Sequence, residues 1–174
     1  MKLKRIVFFA TAFVFLITSC KEEKKEVAAP VVEVDLIYDN FPEEEREVMA
    51  FMQELKQTIL NGEVEKLISY HAYGPKFTEF NAGAKRVGSI ENEKTERSIF
   101  GNVTEIVKFD FNDLKIAVYD QVANVTFHSD FQLMFGEDLV VVKDQITLLL
   151  VKTESGWKFV HEHHSPLKTE EETT

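Results

Sequence analysis

Cysteine is all but missing from this chain: one residue, Cys20, in 174. No disulfide can form within the chain, so the fold must stand on its hydrophobic core. Glycine (7) and proline (4) are also few, which excludes a low-complexity or linker-dominated chain. Positive charge is in deficit, with 20 Lys and Arg against 30 Asp and Glu and a net charge of −10. An acidic body repels phosphate backbones, and no basic cluster with interleaved aromatics interrupts it, so nucleic acid is not an expected partner. An apolar run of the roughly 20 residues needed to span a bilayer is missing too.

What stands at the N-terminus instead is shorter. Lys2, Lys4 and Arg5 precede thirteen uncharged and mostly apolar residues, Ile6 to Thr18, before Lys21-Glu22-Glu23 ends the run. That is the order of a secretory signal. Leu16-Ile17-Thr18-Ser19-Cys20 resembles a bacterial lipobox, whose cysteine receives diacylglycerol and becomes the first residue of the mature chain. Residues 1–19 are therefore expected to be removed and Cys20 lipidated. Loss of three positive charges carries the net charge from −10 to −13, so attachment to the membrane falls to the acyl chains, at about 0.8 kcal/mol per buried methylene. The tract Lys21 to Glu26 resembles those that direct some lipoproteins to the cell surface. The expected location is the cell envelope, on the outer membrane, with the periplasmic or the surface face left open.

Residues 20–40 read as lipidated cysteine and tether, 41–167 as one domain, and 168–174 as a polar tail. Within the tether, Val31 to Ile37 is either a short strand or extended linker. Pro42 followed by Glu43, Glu44 and Glu45 marks a helix start, because proline suits the first helical position and carboxylates the positive end of the dipole. Val48, Phe51, Met52, Leu55 and Ile59 then recur at helical spacing, and Asn61-Gly62 closes the helix. A shorter helix follows from Glu63 to about Tyr70. Residues 71–88 read as an aromatic, glycine-containing loop with a short strand near Phe77. A third, highly charged helix is expected from Ser89 to about Phe100.

From Val103 the period changes to two. Strands are expected over Val107 to Phe111, Leu114 to Val118, Ala123 to Leu133, Val140 to Lys152 and Trp157 to Ser165. Helices first and a meander of strands after is the order of an α+β fold, with helices on one face of an antiparallel sheet. Trp157, His161, His163 and Ser165 in the last strand carry the spacing of the closing strand in the nuclear transport factor 2-like superfamily. The chain resembles its SnoaL-like branch and the association domain of calcium/calmodulin-dependent protein kinase II, over about Glu44 to Pro166. The resemblance implies a cone, a strongly curved antiparallel sheet wrapped around the N-terminal helix, with a pocket at its wide end. It also implies a homodimer through the outer sheet face. Hub pockets present several arginines, whereas the mature chain has only Arg46, Arg86 and Arg97, so an anion pocket of that kind is not expected.

Strand alternation puts Trp157, Phe159, His161, His163 and Ser165 on one face, taken as the interior, and Lys158, Val160, Glu162 and His164 on the other. Four readings compete for the interior set. Its histidines are structural, hydrogen-bonded and buried. Or they bind a small molecule in a mostly apolar pocket, with His161, His163, Trp157, Tyr70, Tyr73 and Phe77 as candidate lining. Or they serve isomerase- or cyclase-type catalysis, with Asp110 or His163 as base and Tyr70 as donor. A metal site would need a third ligand, His128 or Glu162, from another strand or face. No cofactor or metal is expected, and no residue is singled out as catalytic. An envelope protein binding a small molecule or a partner is the leading function, an isomerase or cyclase the alternative. A dimeric interaction module, its pocket plugged by Phe77, Phe80 or Trp157, is the third reading.

Overall fold

The computed structural model of the protein describes residues 33–84 and 88–168. The expected signal, Cys20 and Arg86 lie outside the described residues, as do most of the tether and of the polar tail. Where the tether is described, the strand alternative is corrected. Asp35 accepts the backbone N–H groups of Ile37 and Tyr38 at 2.9 and 3.1 Å, while the Asp39 N–H donates to the Asp35 carbonyl at 2.9 Å, so the chain closes into a turn.

Helix α1 spans Pro42–Leu60, with Pro42 in its first turn among three glutamates. It buries Val48, Phe51, Met52, Leu55 and Ile59, the stripe expected from the spacing. Gly62, at φ +67°, turns the chain into α2, Val64–Ser69, which buries Leu67 and Ile68. A short strand β1, Thr78–Asn81, precedes α3, Ser89–Asn102. Helix α3 has only one buried residue, the polar Asn92, so it is anchored by polar contacts more than by a hydrophobic stripe.

Strands β2 (Glu105–Tyr119), β3 (Val122–Phe135), β4 (Asp138–Val142), β5 (Asp144–Thr153) and β6 (Gly156–Pro166) complete the chain. The sheet runs β1-β6-β5-β3-β2, with β4 paired to the outer half of β3; β1 is parallel to β6 and all other pairs are antiparallel. It is α+β, as the element order predicts: a curved, open six-stranded sheet with α1 packed on its inner face. Phe51, Leu55 and Ile59 of α1 join Phe109, Val125, Phe127, Leu148, Leu150 and Phe159 in one core cluster. Each such burial stabilises by about 1.5–3 kcal/mol.

Three strand assignments are corrected, each by a local irregularity that period-two reading cannot register. The two strands expected over 107–111 and 114–118 are one strand, β2, because Asp113 takes φ +51° and the register shifts between Asn112 and Lys115. The bulge restores the pattern: Phe109 and Phe111 before it, and Leu114, Ile116 and Val118 after it, all meet the core. The strand expected over Val140 to Lys152 is broken at Lys143, so that β4 and β5 pair with different halves of β3. In β6, Phe159 pairs with Leu150 and His161 with Leu149, leaving Val160 without a partner. Inward facing therefore passes from Trp157 and Phe159 to Glu162, and His161 and His163 turn to the other face.

Candidate functional site

A cavity of about 310 Å³ lies between α1, α3 and the sheet. Its apolar wall comes from Leu55 and Ile59 of α1, from Phe109, Phe127, Phe131 and Leu133 of the neighbouring strands β2 and β3, and from Ile146, Leu148 and Phe159 farther along the sheet. Its polar wall comes from six separate segments: His71 after α2, Asn81 of β1, Glu96 of α3, Ser129 of β3, Asp144 at the start of β5, and Glu162 with His164 of β6. Helix geometry places Glu96, Ile99 and Phe100 on one face of α3, and all three line the cavity. The bulge at Val160 brings Glu162 and His164 inward.

His71 and Glu162 form the deepest polar contact. His71 Nε2 lies 3.1 Å from Glu162 Oε1, with side chains only 2% and 7% exposed. His71 Nδ1 lies 3.1 Å from the Leu67 carbonyl oxygen, which can only accept, so Nδ1 carries a proton. A second proton must then sit between Nε2 and the Glu162 carboxyl. Burial alone would push the His71 pKa down, but the hydrogen bond and charge of Glu162 outweigh it and raise it. Burial likewise works to raise Glu162, and His71 overcomes it and holds the carboxyl below its ordinary value. Both directions describe an imidazolium–carboxylate pair.

Glu96 has no such partner among the described residues. Burial pushes its carboxyl up to about 8, and the charges of Glu162 and Glu79 add to burial against the relief that His71 gives. Near neutral pH the cavity wall therefore carries the ionised His71–Glu162 pair and, at Glu96, a largely protonated carboxyl, a donor of the kind acid–base chemistry uses.

The sequence-predicted residues divide into three groups, and none of the six lines this cavity. Tyr73 and Phe77 stand behind His71: the Tyr73 ring stacks on the imidazole with centroids 4.8 Å apart and planes 10° apart, and Phe77 meets it edge-on at 5.8 Å. Tyr73 Oη also donates to Asn92 Oδ1, tying the loop to α3, while burial and the carboxylates around it push its phenol above the usual range. Tyr70 and Trp157 belong to the packing of α1, Tyr70 through a 2.9 Å hydrogen bond with Thr58 and Trp157 by donating Nε1–H to Glu47 at 3.0 Å. His161 and His163 are corrected outright. They sit on the opposite face beside Phe80, with His161 Nδ1 2.7 Å from Thr78 Oγ1. Asp110 and His128 are also outside the cavity. Lys56, 2.7 Å away, holds the Asp110 carboxyl below its ordinary value, which makes it a weak base. Plugging by Phe77, Phe80 or Trp157 does not occur.

Sequence reasoning missed His71, Glu96 and Asp144 as site residues and assigned Glu162 and His164 to the outer face. Among the described residues, no group of three or more His, Cys, Asp or Glu is arranged to hold a metal ion. No described helix is long and apolar enough to cross a membrane.

A family model described as a SnoaL-like domain matches residues 48–169. Among solved structures, a candidate dehydratase of the nuclear transport factor 2-like family from Streptomyces avermitilis superposes with a TM-score of 0.65 at 21% identity, covering 74% of this chain and all of its own. The kinase II hub homology domain of Chlamydamonas reinhardtii gives 0.56 at 25% identity, over 72% of this chain and 99% of its own. A candidate calcium/calmodulin-dependent kinase II association domain from Exiguobacterium sibiricum gives 0.61 at 11% identity, over 75% and 98%. No curated relative matches the chain.

Proposed function

The chain belongs to the SnoaL-like domain family, and we propose that its cavity binds a small, largely apolar organic molecule, in a protein held on the envelope membrane through lipid on Cys20. One observation carries the binding reading: an apolar cavity of about 310 Å³ converges on a few polar groups, His71, Glu96 and Glu162. Small-molecule sites have this composition, in which the apolar wall supplies affinity and the polar groups fix orientation. Native mass spectrometry of the full chain, released gently from its host, is expected to find a small molecule retained. Val142→Trp, at the cavity wall, is expected to lose it. A bare protein, with no shift of cavity resonances in a fragment screen, would refute the reading.

The His71–Glu162 pair and the protonated Glu96 favour a second reading, an acid–base enzyme of isomerase or cyclase type. A carboxyl that gives a proton near pH 8 beside a carboxylate–imidazolium pair has the two roles such reactions require. The candidate dehydratase among the structural neighbours is in keeping with it. Turnover of the retained molecule, with kcat falling in Glu96→Gln far more than affinity does, separates this reading from binding alone.

The lipid anchor rests on the lipobox-like Leu16 to Cys20. Radiolabelled palmitate is expected to enter the wild-type chain and not Cys20→Ala, and the variant is expected to leave the membrane fraction. Protease treatment of intact cells then distinguishes the surface face from the periplasmic one. We also propose a homodimer, which the hub-like neighbours and the exposed Val107, Leu139, Val140 and Val141 support.

A further inference from the structure

The polar wall of the cavity has a sign. Three carboxyl groups line it, Glu96, Asp144 and Glu162, with two histidines, His71 and His164, and neither lysine nor arginine. Arg97, next to Glu96, binds Glu65 and Glu93, and Lys143, next to Asp144, is exposed and does not line the cavity. The positive charge of His71 is matched by Glu162, 3.1 Å away. Glu96 and Asp144 are left with no side-chain partner among the described residues. Burial without a counter-charge is what keeps the Glu96 carboxyl largely protonated, and a cation from outside the chain is what would let it ionise in place.

The opposite wall suits the rest of such a ligand. Phe100, Phe109, Phe127, Phe131 and Phe159 present aromatic surface to the same space, and aromatic faces attract organic cations while burying hydrocarbon. A hydrated inorganic ion would gain nothing from those rings. An anion would meet Glu96 and Asp144 with no lysine or arginine to receive it, and the charge of His71 is already matched by Glu162.

We propose that the cavity is selective for an apolar organic cation, a protonated amine whose ammonium head pairs with Glu96 beside the His71–Glu162 pair and whose hydrocarbon body lies among the phenylalanines; Asp144, farther along the wall opposite Pro166, adds to the negative field. The assignment rests on the binding reading above and adds the charge of the ligand to it. It also sets this pocket apart from one that receives an anion on arginines.

Three probes with one phenylethyl scaffold test it: phenethylamine, 2-phenylethanol and phenylacetate, titrated calorimetrically into the full chain at neutral pH. The amine is expected to bind at least tenfold more tightly than the alcohol, and phenylacetate more weakly than either. Glu96→Gln is expected to reduce the amine-over-alcohol preference severalfold, costing the amine more affinity than the alcohol, and Asp144→Asn, farther along the wall, to reduce it by less. Both replacements are near-isosteric, and circular dichroism verifies their folding. Alcohol or phenylacetate binding as tightly as the amine, and blocked by Val142→Trp, overturns the cation assignment and leaves the binding reading standing. Failure of all three probes to bind, or binding that Val142→Trp does not alter, overturns the cation assignment; the binding reading falls with it only where native mass spectrometry and the fragment screen are also blank.

Discussion

His71→Ala is expected to cost about 3–5 kcal/mol of stability at pH 5–6, the penalty for leaving a buried charge without its partner. Glu162 is only 7% exposed at its side chain, and His71 is its one hydrogen-bonding partner among the described residues. The variant also removes the ring that Tyr73, Phe77 and Phe159 pack against, with centroids 4.8 to 5.8 Å away. The two contributions separate by pH. His71 is raised in the folded state, so its share is complete below its unfolded value of 6.5 and is lost as pH rises through the folded one. Glu162 is lowered, so its share is present above 4.5 and is lost as pH falls through its folded value. The pair therefore contributes fully between 4.5 and 6.5. Urea denaturation at pH 5.5 and at pH 9 checks this: the cost of His71→Ala should shrink at pH 9 towards the packing share alone. An equal cost at both values would mean that no ion pair forms. The double variant His71→Phe/Glu162→Leu should recover much of the loss, because an apolar pair of similar volume has no charge to desolvate.

The same pair explains why the site was harder to read in the sequence than the fold. Helix α1 was legible because five apolar residues at helical spacing admit one arrangement, and the change from period 3.6 to period two located the sheet. Alternation is a local rule, however, and one extra residue inverts everything beyond it. Reading outward from Trp157, the rule is right at Phe159 and wrong from Val160 onward, so it exchanges Glu162 and His164 for His161 and His163. At Asp113 the same kind of bulge leaves a trace, since the apolar positions change from odd to even numbers there, which period-two reading takes as two strands. His71 had no periodic pattern around it. Glu96 looked like one charge among many on a solvated helix, and only the packing of α3 over the cavity distinguishes it from Glu93 or Glu91. Charge burial of that kind depends on which elements meet in space, and composition and spacing do not encode it directly.

Glu96→Gln should make the protein more stable, increasingly so as the solution becomes alkaline. In the folded chain the Glu96 carboxyl ionises only near pH 8, mainly because burial disfavours its charge, against 4.5 in the unfolded chain. Between those values the folded state keeps a proton that the unfolded state has released, so stability falls as pH rises through that window. Glutamine has no proton to lose. The two stability curves should run together at pH 4 and part through pH 8, with the variant ahead by roughly 2–4 kcal/mol at pH 9, at about 1.4 kcal/mol per unit and discounted for the part of the side chain that reaches solvent. His71, Glu162, Glu79 and Tyr73 face Glu96 in both proteins, so most of their titration cancels in the difference. Chemical denaturation at pH 4, 7 and 9 measures it, and parallel curves would show that Glu96 ionises freely in the folded state. A side chain that destabilises its own fold is retained more readily where something else depends on it. If that dependence is an organic cation, phenethylamine at saturating concentration should stabilise the parent more than the variant at pH 9, because it binds the folded state through the charge that glutamine lacks. An amine that stabilised both proteins equally would leave Glu96 as an uncompensated defect of the cavity wall.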